Sequence, residues 1–454
     1  MMNLGRSSIR KINELLGLLQ EIHSQVDSLE VLEKFRDQYQ KISPEEKPSL
    51  FEAIVQRYEL KPADLEGILR QLLALPAGQD HLWRQGTIQL RRQVESPRIR
   101  IFRNFLNISA GLKFLLDLRA DVMGAQRQSQ LELEPLEEDI AQILNSWFQS
   151  GFLFLREITL ESSYRQIRFL KNHDLVHPMA SLEEMGDRLG KDRRCFALYH
   201  RVMSDEPVLF IEVALTRGIA SSIHDIIEKK ADSREQKKPP DTAIFYSINN
   251  TQNGLAGLGL GKILIFQVVE ALKTSDPAIK TFATLSPIPG FWERYLKPIL
   301  RGGEQSFLHK QEKVEEFFPK KIQQALFDLH QIHGVQTPLT LAGLLCKVLS
   351  GPEWLEHPGY RKLLEDPLTK LAYFYLSREK DRRGKPLNPV ANFHIGNGAS
   401  LSLRNVHFAA IRSPRGLMES CGMMVNYLYS QSWLQQISRT MQSLLPWRNS
   451  AEVT

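Results

Sequence analysis

Residues 242–290 read TAIFYSINNTQNGLAGLGLGKILIFQVVEALKTSDPAIKTFATLSPIPG. Thr242–Ile248 is a short apolar run rich in β-favouring residues, which is how a buried strand reads. Four glycines follow, at Gly254, Gly257, Gly259 and Gly261. Lys262–Leu272 is then apolar and helix-favouring. Lys280–Leu285 is strand-like again and ends in Ser286-Pro287-Ile288-Pro289-Gly290. Strand, glycine-rich loop, helix and strand place the loop at a helix N-terminus. Backbone N–H groups of such a loop approach an anion closely, and the helix dipole favours negative charge there. A pyrophosphate is the natural guest. The dinucleotide fingerprint, Gly-x-Gly-x-x-Gly with an acid after the next strand, is absent. The Walker pattern fails as well, since Ile263 follows Gly261-Lys262.

Working outward, the upstream segments Cys195–Tyr199 and Val208–Leu215 are short and β-rich. Ser204-Asp205-Glu206-Pro207 between them is a turn signal and predicts an antiparallel pair. Polar residues make Glu228–Pro240 an exposed loop. Downstream, about Arg301 to Lys380 is helical and charged. Sheet-like sequence resumes at Val390–Phe393 and Ala399–Val406, and a last helix is expected over Ser430–Leu444. The first third is helical. Ile12, Leu15, Leu16, Leu19 and Ile22 form one apolar stripe, and Leu65, Ile68, Leu69, Leu72 and Leu73 form another. Pro135 falls near a helix start, where its missing N–H costs little.

The chain has 454 residues, enough for two or three domains, and a formal charge of +6. A basic surplus suits an anionic partner. No zinc finger or nucleic-acid-binding signature accompanies it, so nucleic acid is not expected. No stretch approaches the roughly 20 apolar residues of a membrane span. The start of the chain lacks a signal-peptide core and cleavage site, and Glu14 and Glu21 argue against a transit peptide. Cys195, Cys346 and Cys421 are sparse, odd in number and widely spaced, which points to a reducing compartment and to no metal site. The expectation is a cytoplasmic location, with a mitochondrial one left open.

Several side chains carry possible chemistry. Ser286 precedes a proline, which pushes it into an extended conformation on a stiffened strand end. Taken alone, it reads better as a plain turn residue. His394 follows Phe393 and leads into Gly396-Asn397-Gly398, as a general acid or base or as a structural histidine. Tyr427, in the segment Glu419–Tyr429, offers a hydroxyl. His330 and His333 have helical metal spacing, but no third ligand is evident.

Together these segments resemble the malonyl-CoA decarboxylase family. The residues that carry the resemblance are Val176-His177-Pro178, Asp192–Phe196, Ile211–Thr216, Gly254–Gly257, Leu285–Phe291, Phe393-His394, Asn397-Gly398-Ala399 and Cys421–Tyr427. It covers the chain beyond residue 160, in order. It implies an α+β protein: an all-helical domain over 1–157, then an acetyltransferase-like (GNAT) catalytic domain over 158–454 with a helical insertion at about 301–385. It also implies that Ala256, Gly257, Leu258, Gly259, Leu260, Gly261 and Lys262 bind the CoA of a malonyl-CoA substrate. Ser286 and His394 match the family's catalytic pair and Tyr427 its tyrosine, with no cofactor. A homodimer or homotetramer built through the helical domain is expected. Some relatives carry a glutamate where this chain has Gly259, so no acid is counted there. A CoA-dependent acyltransferase of the same fold and a non-catalytic CoA-binding scaffold are the competing readings.

Overall fold

The computed structural model describes residues 6–435, apart from 25–27, 77, 130, 175, 178–180, 191, 228–238, 304–306, 309, 333–339, 382, 431 and 434. Described residues up to 154, with 198–209 and 250–260, form one compact unit. Residues 155–197 and 210–249, with those from 261 on, form the other.

The first unit is mainly helical. Its helices are Arg6–Ser24, Leu29–Tyr39, Lys47–Arg57, Pro62–Leu73, Asp80–Gln93, Pro97–Arg103, α1 (Gly111–Gln128) and α2 (Glu134–Trp147). The stripe Ile12, Leu15, Leu16, Leu19 and Ile22 is buried. Phe35, Tyr39, Phe105 and Phe114 interlock at ring separations of 4.9 to 6.2 Å. The second stripe behaves differently. Ile68 and Leu72 are buried, but Leu69 and Leu73 are 42% and 83% exposed. The neighbouring helix Asp80–Gln93 has no buried residue and covers one face only.

Most of the remaining chain builds a mixed sheet. Its strands are β1 (Leu153–Ile158), β2 (Arg193–His200), β3 (Met203–Thr216), β4 (Thr242–Asn250), β5 (Thr281–Thr284), β6 (Ser286–Pro287), β7 (Ala399–Ser400), β8 (Val406–His407), β9 (Met424–Val425) and β10 (Leu428–Tyr429). Seven run in the order β1-β2-β3-β4-β5-β10-β7, and β6-β9-β8 form a second, small sheet. Helix α3 (Leu260–Ser275) crosses from β4 to β5, which pair in parallel. A helical region followed by a mixed-sheet region is the expected α+β class.

Two local expectations are corrected. The turn between β2 and β3 is Arg201-Val202, where Val202 N donates to His200 Nδ1 at 3.1 Å. Residues 204–207 therefore lie inside β3, because the side-chain cap closes the hairpin earlier. Val390–Phe393 is helical, not strand: it belongs to α5 (Pro389–Gly396), which follows the long helix α4 (Pro358–Ser377). The Asn388 side chain accepts from Val390 N and Ala391 N, and Pro389 stands in the first turn. That capping overrides the β preference of the apolar run. Residues 228–238 of the expected loop lie outside the described residues, as does nearly all of the expected helix at 430–444.

Strand β5 follows β4 only part of the way. Thr242–Phe245 pair with Thr281–Thr284, and Leu285 N still donates to Phe245 O at 3.0 Å. Then the chain turns away, and Ser286 and Pro287 pair with β9. Pro287 and Pro289 have no N–H to offer a central strand. β4 continues to Asn250. The two parallel strands thus part at Ser286.

A buried polar network braces β3 and β4. Asp174 Oδ1 accepts from Val176 N, His177 N, Ser247 Oγ and Asn249 Nδ2 at 2.9 to 3.1 Å. Arg188 Nη1 donates to Asp174 Oδ2 at 2.9 Å, His177 O at 2.9 Å and Glu212 Oε2 at 3.3 Å. Burial, then the charge of Asp174, pushes the Glu212 carboxyl up to about 8, so it holds its proton near neutrality. Arg188 is paired with Asp174 and, through Nη2 at 2.8 Å, with the half-buried Glu184. Removing Asp174 leaves the buried donors His177 N, Ser247 Oγ and Asn249 Nδ2 without that acceptor and strips Arg188 of its buried partner. Asp174→Ala should therefore cost about 3–5 kcal/mol, read by urea unfolding; a loss under about 1 kcal/mol would show the network to be dispensable.

Candidate active site

Three chain segments meet where β5 departs. The first is the strand end Thr284-Leu285-Ser286. The second is α5, which carries His394. The third is the end of the chain's β-structure, Asn426–Tyr429. Ser286 and His394 are both buried. Ser286 Oγ lies 3.4 Å from His394 Nε2 and 3.2 Å from Thr284 Oγ1. His394 Nδ1 lies 2.9 Å from the Tyr429 hydroxyl. Tyr427 stacks its ring on His394, with centroids 4.8 Å apart and planes at 25°.

The strand end is pinned on every side. Asn426 Nδ2 donates to Thr284 O at 2.6 Å and to Ala220 O at 3.0 Å. Tyr427 N donates to Thr284 Oγ1 at 3.1 Å, and Thr284 N donates to Tyr427 O at 2.9 Å. Ser420 Oγ accepts from Ile288 N at 3.0 Å, and Asn388 Nδ2 donates to Pro289 O at 2.9 Å. Gly290, at φ +82°, then turns the chain into the buried rings Phe291 and Trp292.

Electrostatics at this point are those of a dry site. Burial drives the His394 imidazole down to about 3, so it is neutral at physiological pH. Burial also raises the phenols of Tyr427 and Tyr429, so both keep their protons. The contacts admit the following proton arrangement. The Tyr429 O–H donates to His394 Nδ1, Nε2 carries the imidazole proton, and Ser286 donates to Thr284 Oγ1. His394 then presents Nε2–H towards Ser286 Oγ. A neutral imidazole so held is a hydrogen-bond donor.

The structure brings together Ser286, His394 and Tyr427, as the sequence predicts. Tyr427 meets the histidine through its ring and not its hydroxyl. Its ring covers His394, and its buried hydroxyl has no hydrogen-bond partner among the described residues. The hydroxyl on the histidine belongs to Tyr429. Sequence reasoning missed Tyr429, Thr284 and Asn426. Tyr427 and Tyr429 are two residues apart on one extended segment, a period that puts both on one face.

Gly261 and Lys262 open α3. A Cβ at Gly261 would stand 2.2 Å from the Phe393 ring, so α3 packs directly against the residue before His394. Lys262 is exposed. Ala256, Gly257, Leu258, Gly259 and Leu260 belong to the helical unit. Gly257 and Gly259 take φ of +81° and +73° there, with open space around each. Left-handed glycines of this kind let a loop turn its own amides towards an anion, while Leu258 N between them is bonded inside the loop to Leu255 O at 3.2 Å. Arg383 is exposed, and Arg382 lies outside the described residues, as does His333. Among the described residues no group of three or more His, Cys, Asp or Glu is placed to hold a metal ion, and no helix is long and apolar enough to cross a membrane.

Residues 151–442 match the malonyl-CoA decarboxylase C-terminal domain, and residues 61–148 match the corresponding N-terminal domain. The chain belongs to the malonyl-CoA decarboxylase family of carboxy-lyases. The mitochondrial malonyl-CoA decarboxylase of Anser anser anser is 35% identical over 339 residues, 74% of this chain and 64% of that protein. That of Rattus norvegicus is 33% identical over 388 residues, 81% of this chain and 76% of that protein. The crystal structure of malonyl-CoA decarboxylase from Rhodopseudomonas palustris superposes with a TM-score of 0.74 at 26% identity, covering 98% of both chains. That from Agrobacterium vitis gives 0.74 at 27%, covering 97% of this chain and 98% of the other.

In this member of the malonyl-CoA decarboxylase family, the Tyr429 hydroxyl is the hydrogen-bond partner of His394 Nδ1. Groups that orient a catalytic or ligating histidine are worth about 10–100-fold. Tyr429→Phe should lower kcat by about that factor with KM little changed. An unaltered kcat would mean that Tyr429 is mere packing.

Proposed function

We propose that this site converts malonyl-CoA to acetyl-CoA and CO2, with Ser286 and His394 at its centre. The observation that carries the reading is the neutral, buried imidazole whose Nε2 faces Ser286 while Nδ1 is tied to Tyr429. Decarboxylation breaks the bond between the carboxylate carbon and the α-carbon. The electron pair moves into the thioester carbonyl, giving an enolate and free CO2. A proton from solvent then reaches the α-carbon and completes acetyl-CoA. The step that needs help is charge development on the thioester oxygen. A fixed donor in a dry site supplies several kcal/mol of that stabilisation.

In this proposal His394 Nε2–H swings its hydrogen bond from Ser286 to the enolate oxygen. Ser286 holds the malonyl carboxylate until CO2 leaves, and the free Tyr427 hydroxyl meets the substrate. The apolar walls of Phe291, Trp292 and Phe393 disfavour a bound carboxylate relative to neutral CO2. No metal or redox cofactor is called for. Residues 256–262 take the CoA pyrophosphate.

We further propose a homodimer or homotetramer in which the helical unit makes the contact. Leu69, Leu73, Leu82, Trp83, Ile88 and Val94 are all exposed on the two adjacent helices Pro62–Leu73 and Asp80–Gln93 and their end. The compartment is a reducing one, cytoplasmic or mitochondrial, in keeping with three free thiols.

Purified protein incubated with malonyl-CoA alone, after dialysis against a chelator, should yield equal amounts of acetyl-CoA and CO2. Ser286→Ala and His394→Asn should each lower turnover by about 10²–10³-fold. Intact malonyl-CoA, or product that appears only when an amine acceptor is added, would contradict the proposal.

A further inference from the structure

The helical unit holds a buried arginine whose hydrogen bonds converge on the glycine-rich loop. Arg119, on α1, is 4% exposed. Its Nη1 donates to Gly254 O at 2.5 Å and to Ala256 O at 2.9 Å. Its Nε donates to Glu137 Oε1, on α2, at 2.8 Å, and Nη2 reaches the same oxygen. The guanidinium is therefore neutralised by Glu137, and its donors are directed at loop carbonyls. It is not a free cation for a phosphate.

A second contact, of a different kind, seats the same loop. Gly254 lies so close to α1 that a Cβ there would stand 2.1 Å from Leu116 O. No other residue type fits that approach. The carbonyls of Gly254 and Ala256 thus face the helices, and immediately afterwards Gly257 and Gly259 lie in open space with positive φ. Within the loop Leu258 N is bonded to Leu255 O at 3.2 Å, and holding the Gly254 and Ala256 carbonyls fixes where the adjoining Gly257 and Gly259 amides point. Charge-assisted bonds from arginine are among the stronger ways to do so.

We infer that Arg119, held by Glu137, is a positioning residue for the nucleotide end of the thioester: by anchoring Gly254 and Ala256 it fixes the loop whose amides receive the pyrophosphate. The inference rests on the proposed CoA reading of that loop. It predicts an effect confined to substrates that carry the nucleotide.

The test compares malonyl-CoA with malonyl-N-acetylcysteamine, which has the same reacting thioester and no pyrophosphate. In Arg119→Lys and Arg119→Gln, kcat/KM for malonyl-CoA should fall tenfold or more, chiefly through KM. For the truncated thioester it should stay within twofold. Equal losses on both substrates, or no loss on malonyl-CoA, would overturn the inference. If Arg119→Gln loses its cooperative unfolding transition, Arg119→Lys and Glu137→Gln decide by the same criterion. The loop reading has its own control in the unaltered protein. Equal kcat/KM for the two thioesters there would remove the CoA reading, and this inference with it.

Discussion

Two prolines govern the geometry of the site. Pro287 and Pro289 have no backbone N–H, so the chain after Leu285 cannot continue as a partner of β4. It leaves the large sheet and joins β9 instead. Ser286 stands at the point of departure, between two sheets, with β10 pairing behind it along β5. Every other feature of the site is arranged around that break. Asn426 Nδ2 takes up the Thr284 carbonyl, and Tyr427 N takes up its hydroxyl. Helix α5 then brings His394 to the opening, and the same turn is tied to it through Asn388.

This arrangement has an electrostatic consequence. A histidine surrounded by Phe393, Tyr427 and Tyr429 does not carry a proton charge at neutral pH. It is therefore not poised as a cationic acid. What it offers is one directed N–H, and its direction is set by the phenol on the other nitrogen. In a site from which water is excluded, such a donor acts with little reorganisation as charge develops on the substrate. The unpartnered Tyr427 hydroxyl beside it is a second donor without an internal commitment. The buried Asp174–Arg188 pair serves a separate end. It braces β3 and β4, with the Glu212 carboxyl kept neutral by burial and by the charge of Asp174.

Much of this was legible in the sequence because it is written in local patterns. The strand, loop, helix and strand of residues 242–285 follow from apolar runs and glycines, and the stripe from Ile12 to Ile22 follows from helical periodicity. Ser286 and His394 were different. Each is chemically ordinary in its own segment and gained weight through the family resemblance, because the contact between them spans 108 residues. The misreadings have local causes that tertiary structure decided. Val390–Phe393 is apolar enough for a strand, yet Asn388 and Pro389 cap it as a helix. Leu69 and Leu73 complete a helical stripe but have no covering partner within the unit. Tyr429 was missed because nothing in its neighbourhood says which of two alternating tyrosines will reach a ring brought in by another helix. Arg119 was invisible for the same reason: its partners are 135 and 137 residues away.

The central claim is that His394 is a neutral donor through Nε2, held so by Tyr429. Nitrogen-15 NMR of protein labelled at histidine, with the His394→Asn spectrum subtracted, observes this directly. The account predicts a protonated Nε2 and a bare Nδ1 that stay unchanged from about pH 5 to about pH 8, since burial depresses the imidazole far below that window. A proton on Nδ1 with Nε2 bare, or a ring that becomes doubly protonated as pH falls through its ordinary range, would contradict it.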